Sequence, residues 1–338
     1  MVTGMLSGDR AQTGVRPFDP YRDSKPVTEL IAIAFKGRLG PDGEVALAEM
    51  RRAARWGSLL WWLYRPEWSR TGVGPGFVWV ERGQVVGNVS LRRALRWGGF
   101  FVGNVAVHPD WQRHGVASAL MRAALDEISA RGGHWAGLEV RADNQVARRL
   151  YENLGFREVG RTIHMLRPAG LPWAENSPSH PALRRGRSHD GAALIKLVQA
   201  VVPVPQRPLL ELRKEDYRPG WERTLDYWLE GRREIWWVIE DSGTLHGAVR
   251  ALHERGRRPD RLEVLVSPGH TGHLEATLVR KGMASLSAPQ KVVKKMVETV
   301  LPSPVEPLVV ALEAAGFQKQ RVLVQMRLDL TQRISLKG

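Results

Sequence analysis

Gly103-Asn104-Val105-Ala106-Val107-His108-Pro109-Asp110-Trp111-Gln112-Arg113-His114-Gly115-Val116-Ala117 is the stretch from which the rest of the chain can be read. An apolar, β-favouring run (Phe100-Phe101-Val102, then Val105-Ala106-Val107) precedes Pro109, which removes an amide hydrogen and disfavours continued pairing. Gly115 lets the backbone pass close to a ligand. Val116, Leu120, Ala124 and Ile128 then recur every four residues, with Met121 and Leu125 widening the apolar stripe. The residues therefore predict a strand, a loop and a helix in direct succession. The loop's amides lie at a helix N-terminus, where free N–H groups and the macrodipole favour an anion. Gln112 and Arg113 add side-chain donors. This is the outline of a diphosphate cradle.

Gln112-Arg113-His114-Gly115-Val116-Ala117 resembles the Q/R-x-x-G-x-G/A acetyl-CoA signature of the GNAT superfamily of N-acyltransferases. The context resembles the family too: a Val-x-Val-x-Pro strand before it, an amphipathic helix after it, and Asn144 with Leu150-Tyr151-Glu152-Asn153-Leu154-Gly155-Phe156 downstream. There is no G-x-x-x-x-G-K-S/T and no G-x-G-x-x-G after a strand, so the Walker and Rossmann loops fit less well. The specific motifs cover Val15 to Arg167.

The resemblance implies an α/β fold, a mixed and mostly antiparallel sheet with flanking helices. It also implies direct acyl transfer from a thioester to an amine, with acetyl-CoA as co-substrate and no metal. In the family, the backbone corresponding to Val105, Ala106 and Val107 pairs with the pantetheine arm. Gln112, Arg113, His114, Gly115, Val116 and Ala117 would hold the diphosphate through main-chain amides, and Ser118 could add a hydroxyl. Tyr151 matches the family's tyrosine that protonates the coenzyme thiolate, and a phenol with an ordinary pKa of about 10 suits that task. The alternative for Tyr151 is a half-buried tyrosine packed on the sheet.

Asn144 opens the helix that carries Tyr151. It is expected as an N-cap, and the family often places this asparagine near the pantetheine as well. Leu138-Glu139-Val140-Arg141, with Asn144 and Tyr151, resembles the ribosomal-protein N-terminal acetyltransferases, whose strand glutamate twelve residues before the tyrosine is the general base. The plainer reading of Glu139 is an ion pair with Arg141 or another cation.

Upstream, Val15–Phe18 reads as a first strand, Pro26–Phe35 as a helix, and Glu44–Tyr64 as a second helix stopped by Pro66. Phe77–Val80 and Gln84–Leu91 read as a hairpin around Glu81-Arg82-Gly83. Trp61, Trp62, Tyr64 and Trp68 are open to two readings, core packing or a wall of the acceptor pocket. Downstream, Gly132-Gly133 ends the central helix, Gly137–Arg141 is a strand, Asn144–Asn153 a helix, and Phe156–Met165 the last strand or strand pair.

Residues 171–188 have the composition of a linker, which gives domains at 1–170 and 189–338. The half of the chain after the linker looks like a worn copy of the half before it. Leu183–Val202 parallels the first strand and helix, while Ile235–Val238 and Leu245–Ala251 parallel the hairpin. Val264-Leu265-Val266-Ser267-Pro268 stands 159 residues after Val105-Ala106-Val107-His108-Pro109; Gly316-Phe317 stands 161 after Gly155-Phe156, and Met326 161 after Met165. A tandem-GNAT arrangement is the economical account. The copy has lost the Gln-Arg pair, and Leu312 replaces Tyr151. The second half is expected to bind coenzyme poorly or not at all and to cover and shape the acceptor side; the alternative is that it binds some other ligand.

At 338 residues the chain has room for two such domains. With no cysteine, it has no disulfide, thiolate zinc site or cysteine nucleophile. No signal-peptide core and no 18-residue apolar run occur, so the default expectation is a soluble, cytoplasmic protein away from membranes. The net charge of +15 invites a nucleic-acid reading, but 40 of the 50 cations are arginines scattered along the chain, and no nucleic-acid-binding motif accompanies them. His270 and His273 are too few for a metal site and read as a polar loop; His108 and His114 flank the cradle, where His114 could touch phosphate. The expected partner is a small-molecule or peptide amine. Its identity and the oligomeric state are not fixed by the sequence. A non-catalytic acyl-CoA-binding regulator is the other function class.

Overall fold

A computed structural model describes residues 13–330 apart from 38–39, 57–75, 96–97, 174–179, 213, 218, 220–230, 257, 288–292 and 303–304. The second helix is described over Pro41–Trp56, so Trp61, Trp62, Tyr64 and Trp68 lie outside the described residues. The chain divides into two compact units, residues 1–138 with 327–338, and residues 139–326.

The first unit runs β1 (Gly14–Pro17), α1 (Pro20–Ala34), α2 (Pro41–Trp56), β2 (Gly76–Glu81), β3 (Gln84–Arg93), β4 (Gly99–Val107), α3 (Val116–Ala130) and the start of β5 (Trp135–Arg141). β1 to β4 pair antiparallel in sequence order, and β5 joins β4 in parallel. α1 begins earlier than its apolar spacing indicates. Asp19 is the N-cap, its carboxylate accepting from the amides of Tyr21 and Arg22, and Pro20 takes the first helical position, where a missing N–H costs nothing. Pro26 therefore sits inside the helix rather than at its start. Val27, Leu30 and Ile31 pack against Val78, Val80 and Ala106 of the sheet. On β3, a Cβ at Gly87 would press into Val116 and Leu120 of α3, so glycine there lets α3 lie close to the strand.

The second unit continues with α4 (Gln145–Asn153), β6 (Arg157–Arg167), β7 (Leu183–Arg185), α5 (Gly191–Val201), the short α6 (Arg207–Leu210), β8 (Arg233–Asp241), β9 (Thr244–His253), β10 (Asp260–Val266), α7 (Glu275–Ser287), β11 (Val297–Leu301), α8 (Glu306–Ala314) and β12 (Gln318–Asp329). β7 to β10 pair antiparallel and β11 joins β10 in parallel, the same order of pairings as in the first unit. Alternate residues of β8 serve opposite faces: Trp236 and Val238 meet Leu194, Leu197 and Val198 of α5, while Ile235 and Ile239 join Leu278, Val279 and Met283 of α7.

Further details recur between the halves. Arg16 holds Asp23 through two hydrogen bonds of 2.6 and 2.7 Å, and Arg184 holds Asp190 through two of 2.8 and 2.7 Å. Gly247 on β9 lies against Leu278 of α7 as Gly87 lies against α3. The hairpins shift register at Trp79/Val80 and at Ile239/Glu240. α4 and α8 end alike: Phe156 donates to the Tyr151 carbonyl and Phe317 to the Leu312 carbonyl, each at 3.0 Å, around left-handed Gly155 and Gly316.

The unit boundaries cut through β5 and β12 because the halves trade their last strands. β6, from the first half, pairs antiparallel with β11, Val297 opposite Arg167 and Leu301 opposite Ile163. The end of β12 belongs to the first unit, where the Leu330 amide donates to the His134 carbonyl at 2.8 Å.

Candidate active site

Residues 103–117 span the end of β4, a 3₁₀ turn at Pro109–Trp111, the exposed segment Gln112–Gly115, and the start of α3. β4 is aligned with β5 only from Gly99/Trp135 to Phe101/Gly137, so Val102 to Val107 keep register with β3 alone. A bulge falls in the β3–β4 ladder between Asn88 and Ser90. Asn104 takes it up with a φ of 48°, and the buried Asn88 fixes it by donating Nδ2 to the Asn104 carbonyl at 2.9 Å. Such a bulge re-aims the following backbone, Val105 to Val107.

Arg113 (φ 63°) and Gly115 (φ 79°) are both left-handed, which turns the chain sharply into α3. A left-handed arginine costs on the order of 1 kcal/mol, and strain of that kind concentrates at ligand-binding loops. Gly115 is the N-cap and supplies no side-chain acceptor. The first bond of the helix runs from the Ala119 amide to the Gly115 carbonyl, so the amides of Val116, Ala117 and Ser118 precede the bonded turn. Gln112 reaches back toward the Val107 carbonyl (3.4 Å), and His114 Nδ1 lies 2.8 Å from the Gln112 carbonyl. His108 accepts from the Asp110 amide and so caps the 3₁₀ turn. The exposed loop, uncapped helix start and re-aimed strand fit a diphosphate with an extended arm.

Glu139, Asn144 and Tyr151 belong to the second unit. Asn144 is the N-cap of α4 and accepts from the Ala147 amide at 3.2 Å. Tyr151 is 6% exposed, edge-on to Phe156, and burial pushes its phenol up to about 12. Glu139 is exposed on β5. It does not pair with Arg141, which is held by Asp143 at 2.7 Å; instead Glu139 Oε1 accepts from Gln325 Nε2 at 2.9 Å.

Residues 45–156 match the acetyltransferase (GNAT) family. Over this third of the chain the sequence is similar to GNAT domains. A 56-residue segment is 51% identical to the [ribosomal protein bS18]-alanine N-acetyltransferase of Escherichia coli K12, covering 17% of this chain and 38% of that relative's length. Two solved structures share the architecture over nearly the whole chain. A GCN5-related N-acetyltransferase from Sphaerobacter thermophilus superposes with a TM-score of 0.63 at 17% identity, over 94% of this chain and 95% of that one. A tandem GNAT protein from the clavulanic acid biosynthesis pathway gives 0.56 at 16% identity, over 94% and 98%. The fold of the chain is thus a tandem GNAT fold.

In the second GNAT-like half the equivalent of the cradle is filled from within. β9 and β10 run in unbroken register with no bulge. At the start of α7 the buried Glu275 carboxylate accepts from the Gly272 amide at 2.9 Å and the Leu274 amide at 3.2 Å, the position an anion would take. His270 is engaged as well, by Ser267 Oγ at 3.0 Å and by the His246 ring at 4.0 Å. Among the described residues no group of three or more His, Cys, Asp or Glu could hold a metal ion, and no helix is long and apolar enough to cross a membrane. Glu275→Ala is expected to lower stability by about 2 kcal/mol in urea unfolding, because the Gly272 amide and the buried Leu274 amide lose a charged acceptor. A loss under about 0.5 kcal/mol would show that the carboxylate does not hold this helix start.

Several of these groups escape a sequence reading. Asn88 could have been suspected, a polar side chain amid Val85-Val86-Gly87 and Val89. Gln325 carries no local signal.

Proposed function

We propose that the chain transfers an acetyl group from acetyl-CoA to a primary amine, with residues 1–170 as the catalytic GNAT domain and 189–338 as its degenerate relative. The observation that carries this reading is the left-handed, exposed turn Arg113–Gly115 opening an uncapped helix directly after a bulged strand. Acetyl-CoA supplies the acetyl group as a thioester. The amides of Val105 to Val107 and of Arg113 to Ala117 bind and orient it, with Arg113 adding a positive charge and Ser118 a hydroxyl; the Gln112 amide is spent on the Pro109 carbonyl, which leaves Gln112 its side chain. Asn144 fixes the start of the helix that carries Tyr151. Glu139 takes a proton from the acceptor's ammonium group, and the neutral amine so formed attacks the thioester carbonyl; the new C–N bond forms as the C–S bond breaks, and Tyr151 gives its phenolic proton to the departing thiolate. A phenol raised by burial is protonated throughout the neutral range, the form an acid needs.

The acceptor is an amine on a small molecule or a peptide N-terminus; the likeness to an enzyme named for an N-terminal alanine makes an alanine-N-terminal peptide the first to try. The experiment is incubation with acetyl-CoA and a panel holding that peptide, a polyamine, amino acids and an aminoglycoside, read by thiol release. Release with at least one amine, lost in Glu139→Ala, is expected. Coenzyme binding without release across the panel would favour a non-catalytic acyl-CoA-binding regulator.

A further inference from the structure

We propose that Gln325, backed by Gln206, is a positioning residue for the base Glu139, so that the second half of the chain completes the catalytic machinery of the first. This rests on the reading of Glu139 as the base. The chain of contacts is continuous and lies within one compact unit. Gln325 on β12 donates Nε2 to Glu139 Oε1 at 2.9 Å, and its own Oε1 accepts from Gln206 Nε2 at 3.1 Å. Gln206 Nε2 also donates to the Arg161 carbonyl at 3.1 Å.

Burial makes these contacts costly to build and hard to lose. Gln325 is 0% exposed and Gln206 1%, whereas Glu139 itself is exposed. Gln206 Oε1 is buried without a partner among the described residues, a loss that ordinary core packing would avoid with an apolar side chain. Two features hold Gln206 in place. It ends a 3₁₀ turn in Pro203-Val204-Pro205-Gln206-Arg207-Pro208, where three prolines restrict the backbone. On β6, a Cβ at Gly160 would overlap the Gln206 amide, so glycine there leaves the room that this side chain occupies.

The chemistry suits a base. Gln206 fixes which way the Gln325 amide faces, and that amide fixes one carboxylate oxygen of Glu139. Oε2 has no donor among the described residues and is left for the acceptor's proton. A neutral amide does this without the ion pair that a cation would impose, which would weaken the carboxylate as a base.

Gln325→Met and Gln206→Met keep volume and remove the amides. With the best amine of the panel, Gln325→Met is expected to lower kcat about tenfold and Gln206→Met about threefold. KM and the calorimetric Kd for acetyl-CoA should stay within about twofold, and the double variant should be no slower than Gln325→Met, because Gln206 acts through Gln325. Unchanged kcat in folded Gln325→Met, or multiplying effects in the double variant, overturns the proposal. If Gln325→Met fails to fold, Gln206→Met reads the same contacts from the other end.

A spectroscopic arm needs no acceptor. In 15N-labelled protein, Glu139→Ala should shift the side-chain amide signals of Gln325 and, less strongly, of Gln206; signals that stay in place overturn the proposal. If Glu139→Ala keeps full turnover while those signals move, the base reading fails and the hydrogen-bonded chain stands. If Glu139→Ala is inactive and Gln325→Met is not slowed, the positioning role alone fails.

Discussion

Tyr151→Phe is expected to lower turnover by about a hundredfold or more, the usual worth of a positioned general acid, while the coenzyme Kd should change by less than about twofold. The substitution removes one oxygen from a side chain that packs edge-on against Phe156 and is otherwise retained. Burial holds the phenol up at about 12 against an ordinary 10, so it stays protonated throughout the neutral range, as the proposed acid role requires. The same shift sets the sign of a stability effect. A phenol raised on folding favours the folded state fully below pH 10, and this contribution is lost as pH rises through about 12. Thiol release paired with calorimetry checks the turnover claim, and urea unfolding at rising alkaline pH checks the linkage, which Phe should weaken. Wild-type turnover in Tyr151→Phe would remove the tyrosine from the mechanism.

Arg113→Glu acts on binding instead. Reversing the charge in the proposed diphosphate loop is expected to raise the acetyl-CoA Kd at least tenfold, and by more at low salt than at high salt, since the loop is exposed and its electrostatics are screened. The left-handed backbone at Arg113 is no more strained by glutamate than by arginine, so circular dichroism and the unfolding midpoint should stay near wild type. Equal affinity for the two proteins would mean that the loop does not bind the diphosphate.

Local features were the ones legible in the sequence. The strand–loop–helix at Gly103–Ala117 and the repeat of Gly155-Phe156 as Gly316-Phe317 each depend on residues a few positions apart, and both are found as read. α1 was legible in type but not in extent, because Pro26 imitates a helix start that Asp19-Pro20 already supplies. The bulge at Asn104 has no glycine to announce it; it depends on Asn88, a strand away. Least legible was the exchange of last strands. β6 could pair with any edge of matching register, and nothing in its residues says that β11 is its neighbour. The Gln325–Glu139 contact spans 186 residues and exists only because of that exchange.

The claim on which the account depends is that one half of this chain keeps an open anion cradle while the other has filled its own with Glu275. Calorimetric titration of the full chain with acetyl-CoA tests it most directly. The account predicts saturable binding of one molecule per chain, weakened in Arg113→Glu; no binding, or two molecules per chain, would contradict it.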